Sequence, residues 1–236
     1  MVNFSPVPWL YHFNFLKYLF VVIPGTIAGE YLKEWIGNRT QQDREQSRNS
    51  RLTLPILLIS VGVVIVNLYG LYTRQILLNL FLTVLLLSVL GYWLRNMEGD
   101  GRCWRKLWLA GTYLLMLGLF FEAYEGGIRK DYATYSYYFV SSGLAFISLL
   151  SFSIIGDVYS AEKGLKPLVM AGKNPMIAYV GVNLVVNPLL NLTGLMEYVN
   201  LLNENAWLGF LRGVLLTSVV VAMTMFFSKL KWFWRT

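Results

Sequence analysis

Two groups of polar residues stand out in a chain that is otherwise mostly apolar. The first is the stretch 125–138, where Gly126 and Gly127 precede the charged run Arg129-Lys130-Asp131 and the hydroxyls of Thr134, Tyr135, Ser136, Tyr137 and Tyr138. Tyrosine places its ring at a lipid–water boundary with the hydroxyl in water, which accounts for part of this wealth. The charged run asks for more than anchoring, because that side of the protein otherwise carries almost no charge. What the stretch offers is hydrogen-bonding groups and charge. The second group is Lys163, Lys166 and Lys173, followed by Asn174 and then by Asn183, Asn187 and Asn191. Those lysines attract phosphates through the same charge that sets membrane orientation. The last three asparagines fall roughly on one helical face, and amides in hydrocarbon need partners. Helix–helix hydrogen bonds and a polar substrate or cofactor path both meet that need. Glu30, Glu122 and Asp157 lie near the ends of apolar runs, where solvation at the boundary explains them more readily than function does.

Familiar catalytic signatures are missing. No phosphate-cradling glycine motif or nucleophile elbow is present, and Gly99-Asp100-Gly101 reads as a turn. Cys103 is the only cysteine, so there is no intrachain disulfide and no thiolate metal site, and the metal-ligand set is empty. Composition sets the class instead. Hydrophobic residues make up 56% and charged residues 14%, with a mean hydropathy of +0.51. The apolar residues come in long runs, so the chain reads as an all-α, polytopic helical membrane protein in contact with lipid. Its net charge of +7 then speaks of topology before nucleic-acid binding, and no nucleic-acid partner is expected.

Seven spans are expected, over residues 13–35, 53–72, 75–94, 107–124, 137–159, 174–192 and 207–227, forming a single transmembrane helical domain over 1–236. Gly25 and Gly29 lie four apart on one face, a spacing that lets a neighbouring helix approach closely. Pro24 bends that span, and Pro175 is a natural first-turn residue for the sixth. The polar runs 37–51, 95–106 and 160–173 read as loops. Of the 20 Lys and Arg, Lys17 and Arg212 lie inside spans and only Arg74, Arg129 and Lys130 fall on one side; the other 15, counting Lys33 at the end of the first span with the loop after it, fall on the opposite side. That bias puts the carboxyl terminus in the cytoplasm and the amino terminus outside. A start outside, with neither signal nor charge to hold it, is expected of the C-terminal part of a larger membrane protein.

The run Lys130-Asp-Tyr-Ala-Thr-Tyr-Ser136-Tyr137, followed by Gly172-Lys173-Asn174-Pro-Met-Ile-Ala-Tyr179-Val-Gly181, resembles the C-terminal half of the heparan-α-glucosaminide N-acetyltransferase family. Bacterial members of that family are also labelled N-acetylglucosamine-related transporters. Pro24-Gly25…Gly29 and the basic, Trp- and Phe-rich tail fit the same pattern, so the similarity covers essentially the whole chain. The resemblance implies a membrane acyltransferase, in a bacterial inner membrane, that moves an acetyl group from cytoplasmic acetyl-CoA to an amino sugar on the far side. It implies Asn174 and Tyr179 as hydrogen-bond donors near the thioester, Lys173 and Asn174 as contacts to acetyl-CoA, and Lys130, Ser136 and Tyr137 as contacts to the sugar. It also allows a homodimer.

Two departures from the family bear on activity. The family's catalytic histidine lies on amino-terminal helices that have no counterpart here, and His12, the only histidine, sits in a segment resembling the family's middle. Val182-Asn183 follows Tyr-Val-Gly where some relatives carry a polar or charged pair. A chain lacking that histidine is expected to be inactive alone, and to need the missing helices or a partner chain supplying them. A sugar transporter would use the same polar faces without a base, and a non-catalytic membrane subunit would need neither activity.

Overall fold

The computed structural model describes residues 14–38, 40–97, 100–129, 134–158, 162–202 and 206–233. These are helical apart from turns, with no strand among them. Helix is the form that satisfies every backbone N–H and C=O within one apolar segment. Among the described residues six helices are long and apolar enough to cross a membrane: Thr53–Tyr72, Ile76–Arg95, Gly101–Glu125, Tyr135–Gly156, Pro175–Leu192 and Leu208–Lys229. The chain divides into two compact units, Met1–Ser160 and Ala161–Thr236.

Unit 1 begins with a short 3₁₀ turn that leads into α1 (Leu19–Asn38). Although α1 is 20 residues long, Glu30, Lys33 and Glu34 fall in its second half, and it is not among the six. The run expected to be a loop after it instead forms helix α2 (Gln41–Asn49). The cause is local. Thr40 Oγ1 accepts the Asp43 N–H (3.2 Å) while the Asp43 carboxylate accepts the Thr40 N–H (3.0 Å), a reciprocal capping box. Then come α3 (Thr53–Tyr72), α4 (Ile76–Arg95), α5 (Gly101–Glu125) and α6 (Tyr135–Ser153), the last continued by a π-helical turn over Ile154–Val158.

The closest packing in unit 1 is between α5 and α6. A Cβ on Gly143 would lie 2.6 Å from the backbone nitrogen of Leu115, and one on Gly118 would lie 2.6 Å from that of Val140. These glycines let the two backbones touch, the usual device where lipid removes any hydrophobic drive to associate. The sequence expectation had placed such an approach at Gly25 and Gly29. Nothing lies within 4 Å of a Cβ at either, so close packing falls at the other glycines. Leu107, Phe146, Leu150 and Ile154 form one buried cluster with Trp104, and Val63, Leu115, Val140 and Ile147 form a second. Polar groups cross-link the remaining helices. Ser60 and Ser151 share a 2.8 Å hydrogen bond between α3 and α6, and Asn67 donates to Thr83 while accepting from Asn79 between α3 and α4.

Unit 2 starts with α7 (Glu162–Gly172), a helix where a loop was expected. α8 (Pro175–Gly181), a π-helical turn (Val182–Val186) and α9 (Asn187–Leu192) follow as one continuous span. Pro188 has no N–H to return to the preceding turn. Next to it the Asn187 N–H reaches back five residues to the Val182 carbonyl, which is the π pattern. α10 (Met196–Leu201) and α11 (Ala206–Lys229) complete the unit. α8 and α11 meet at Gly181, where a Cβ would lie 2.5 Å from Met223 Cε. Ser228 Oγ, on α11, donates to the Met170 carbonyl of α7 (3.1 Å).

If the α5–α6 seam carries unit 1, Gly143→Val and Gly118→Val will each destabilise it by about 1–3 kcal/mol through overpacking. Gly25→Ala and Gly29→Ala will change stability by less than about 0.5 kcal/mol or raise it. Thermal unfolding of the purified chain in detergent separates the two pairs, and equal effects in both would disprove the seam.

Candidate functional site

Because α1 packs on both α5 and α6, unit 1 gathers polar residues at two ends. At one end, Phe20 of α1 meets Tyr135 and Phe139 of α6, at ring separations of 5.9 and 5.2 Å. At the other, Glu34 of α1 meets Lys106 of α5.

The first end holds the stretch 125–138. The Glu125 carboxylate accepts the backbone N–H groups of Tyr135 and Ser136, each at 2.9 Å. It thereby satisfies two of the donors that any helix start leaves without partners. Thr134, the N-cap of α6, accepts from the Tyr137 and Arg129 N–H groups and from Ser136 Oγ. Ser136 is fully buried, and its hydroxyl is spent on that cap. Tyr137 is half-buried and lines a cavity of about 480 Å³ between α1 and α6. Lys130 and His12 lie outside the described residues.

Beside this cap, Gly127 has φ +129°, and a Cβ there would lie 2.9 Å from Arg74 Nη1. Arg74 also faces Glu122, its Nη2 3.7 Å from Oε1. Glu122 is only 3% exposed and its Oε2 has no hydrogen-bond partner. The expectation of boundary solvation therefore does not hold for this carboxylate, which sits inside the helix packing.

The second end is a feature that sequence reasoning missed. Tyr31, Glu34, Trp35 and Asn38 of α1, Asp43 of α2, and Asp100, Arg102, Cys103 and Lys106 around the start of α5 enclose a cavity of about 130 Å³. Trp35 Nε1 donates to Asp100 (2.8 Å) and Lys106 Nζ donates to Glu34 (2.6 Å), with Nζ 5.5 Å over the Tyr31 ring. The Ser47 hydroxyl accepts the Asp100 N–H (3.2 Å). The partners are separated by 65 and 72 positions, so no local motif announces the cavity. Only the Thr40–Asp43 cap gave a usable signal, because it places α2 where α2 can form a wall.

In unit 2, Lys173 is exposed and Asn174 is fully buried, its amide donating to the Trp232 carbonyl (2.8 Å). Asn174 thereby ties the start of α8 to the segment after α11. Tyr179 is 83% exposed, so the Asn174 and Tyr179 side chains leave the helix on different faces. Asn187 Nδ2 approaches Asn183 Oδ1 at 3.5 Å, a contact along the helix rather than across to another. Among the described residues no three His, Cys, Asp or Glu side chains gather to hold a metal ion.

Comparison with known proteins places a family described as "Domain of unknown function (DUF5009)" over residues 1–32. No curated protein and no solved structure matches the chain.

The Glu125 cap has a measurable signature. Glu125→Ala removes a charged acceptor from two amides, and hydrogen bonds to charged groups are worth about 1.5–3 kcal/mol each. Amide exchange at Tyr135 and Ser136 should accelerate by tenfold or more, while exchange in α3 stays unchanged. Unaltered exchange at both amides would show that the carboxylate does not hold this end.

Proposed function

We infer that the chain is the C-terminal portion of an integral membrane acyltransferase with seven spans, α1 being the first. On this reading the amino terminus is outside, the carboxyl terminus is cytoplasmic, and the membrane is a bacterial inner membrane. Acetyl-CoA, arriving from the cytoplasm, gives its acetyl group to the amine of an extracytoplasmic amino sugar, releasing coenzyme A and an N-acetylated sugar. A base takes the amine proton, and hydrogen-bond donors hold the negative charge that develops on the carbonyl oxygen. Tyr179 is the donor proposed, on a helix whose start Asn174 ties to Trp232, with Lys173 drawing the coenzyme's phosphates, while Lys130 and Tyr137 present the sugar's side beside the cap that Ser136 completes. The base comes from preceding helices or from a partner chain, and the assembly as a homodimer belongs to the same proposal.

The observation that supports this reading most is the ordered start of α6. Glu125 and Thr134 hold the backbone of residues 135–137, the end of the resembling stretch, in place, as a substrate-orienting surface requires. The exposed Lys173 and Tyr179 on unit 2 are open to a soluble donor. A second reading, a membrane transporter for N-acetylglucosamine or a related sugar, draws support from Glu122. A carboxylate inside a span with one oxygen lacking a partner is the kind of group that marks a polar path.

Two measurements test the reading. Reporters active only in the cytoplasm, fused after Arg48, Arg102, Lys166 and Arg235, are expected to give signal at all four sites. Signal from fusions at Gly127 or Asn203 would invert the topology. The chain alone, given acetyl-CoA and glucosamine, is expected to form no acetylated sugar above background, since losing the main acid–base group costs about 10² to 10⁴ in rate. Co-expression with helices that supply the histidine should restore transfer. Turnover by the chain alone that His12→Ala abolishes would locate the base here instead. Uptake of intact sugar without acetyl-CoA, lost in Glu122→Gln, would favour the transporter.

A further inference from the structure

The polar cavity among α1, α2 and α5 has an apolar neighbour. Tyr31 lines it, and also lines a groove of about 290 Å³ between α1 and α5 whose walls include Phe20, Ile27, Leu114 and Phe146. From Tyr31 back to Leu19, α1 advances about 18 Å. That is comparable to one leaflet of a hydrocarbon core about 30 Å thick. A small charged chamber at the helix ends, next to an apolar trough about one leaflet deep and sharing Tyr31 with it, has the elements of a site for a membrane lipid.

The chamber's charges narrow the head group. Glu34, Asp43 and Asp100 share it with Arg102 and Lys106, so both signs line one small space. A purely anionic head would bring its charge against the carboxylates, whereas a zwitterion finds a partner for each end. The Glu34–Lys106 pair is about half exposed, at 54% and 43%, so exchanging its partners costs little. The Tyr31 face already carries Lys106 Nζ, which leaves no open aromatic box for a trimethylammonium. A primary ammonium instead donates up to three hydrogen bonds, and carboxylates accept them well.

We propose that this site binds a glycerophospholipid with an ethanolamine head: phosphate on Arg102 and Lys106, ammonium toward Glu34 and Asp43, one acyl chain in the groove. Trp35, fixed by its hydrogen bond to Asp100, forms a rigid wall of the chamber.

The test uses the full chain, stripped of lipid in detergent. It is titrated separately with dioleoyl phosphatidylethanolamine, phosphatidylcholine and phosphatidylglycerol, and with soluble phosphoethanolamine, and bound copies are counted by native mass spectrometry. Phosphatidylethanolamine should bind about tenfold more tightly than the other two lipids, and phosphoethanolamine should not bind at the same concentrations. Glu34→Gln and Lys106→Gln should each weaken phosphatidylethanolamine several-fold and erase most of the preference. Ala110→Trp, which fills the groove, and Tyr113→Ala, which removes part of its wall, should weaken all three lipids; thermal unfolding checks that each variant is folded. Equal affinity for the three lipids, or a preference that survives both Gln variants, overturns the proposal. Phosphoethanolamine binding as tightly as the lipid would move the ligand from the membrane to solution and overturn the lipid assignment.

Discussion

The contact between the α5 and α6 backbones is the constraint on which unit 1 rests. Leu115 and Val140 present main-chain nitrogens where a side chain on Gly143 or Gly118 would stand, so the two helices are as close as peptide backbones permit. In a lipid environment the gain comes from dispersion and from the fit of surfaces, because lipid tails are as apolar as leucine. Both buried clusters flank this seam. The first runs from Trp104 and Leu107 to Phe146 and Leu150, and the second joins Leu115 to Val140 and Ile147. Widening the seam would therefore loosen both at once.

The polar ends depend on that seam for their geometry. Glu125, on the last turn of α5, reaches the first amides of α6 because the two helices are already in register. α1 then lies on the pair, ring to ring at one end and by the Glu34–Lys106 and Trp35–Asp100 contacts at the other. The charged cavity exists only because α1, α2 and α5 are held at fixed positions. Glu122 is the group that gains least from this arrangement, buried with one arginine at 3.7 Å and one oxygen without a hydrogen-bond partner. A buried polar oxygen without a hydrogen-bond partner is costly, which is why it draws functional interest.

What could be read from the sequence follows from the range of each interaction. Length and apolarity are local, so the expected span 53–72 coincides with α3 and 75–94 lies within one residue of α4. Polar runs misled the reading because polarity alone does not distinguish a loop from a helix with a charged face. α2 and α7 were both missed in that way, though the Thr40–Asp43 box carried the information for α2. Gly25 and Gly29 have the spacing of a packing motif but no neighbour close to them, whereas Gly118 and Gly143 become significant only once α5 is known to lie on α6. The Asn174 amide finds the Trp232 carbonyl 58 residues away, and the cavity partners are farther apart still. Nothing in a neighbouring residue encodes those meetings.

The seam also sets an order of assembly. α5 and α6 are consecutive, joined by a short loop that Glu125 and Thr134 close. Closing a short loop costs little chain entropy, and contacts between near neighbours form early. The pair can therefore leave the insertion machinery as a finished hairpin. α1 is made before either of them, and its partners on α5 and α6 emerge about a hundred residues later; Phe20 must wait for Phe139. During that interval its Glu30, Lys33 and Glu34 have no hairpin to pack against. The one long helix of unit 1 that falls outside the six candidate spans is thus also the one that relies on later synthesis for its place.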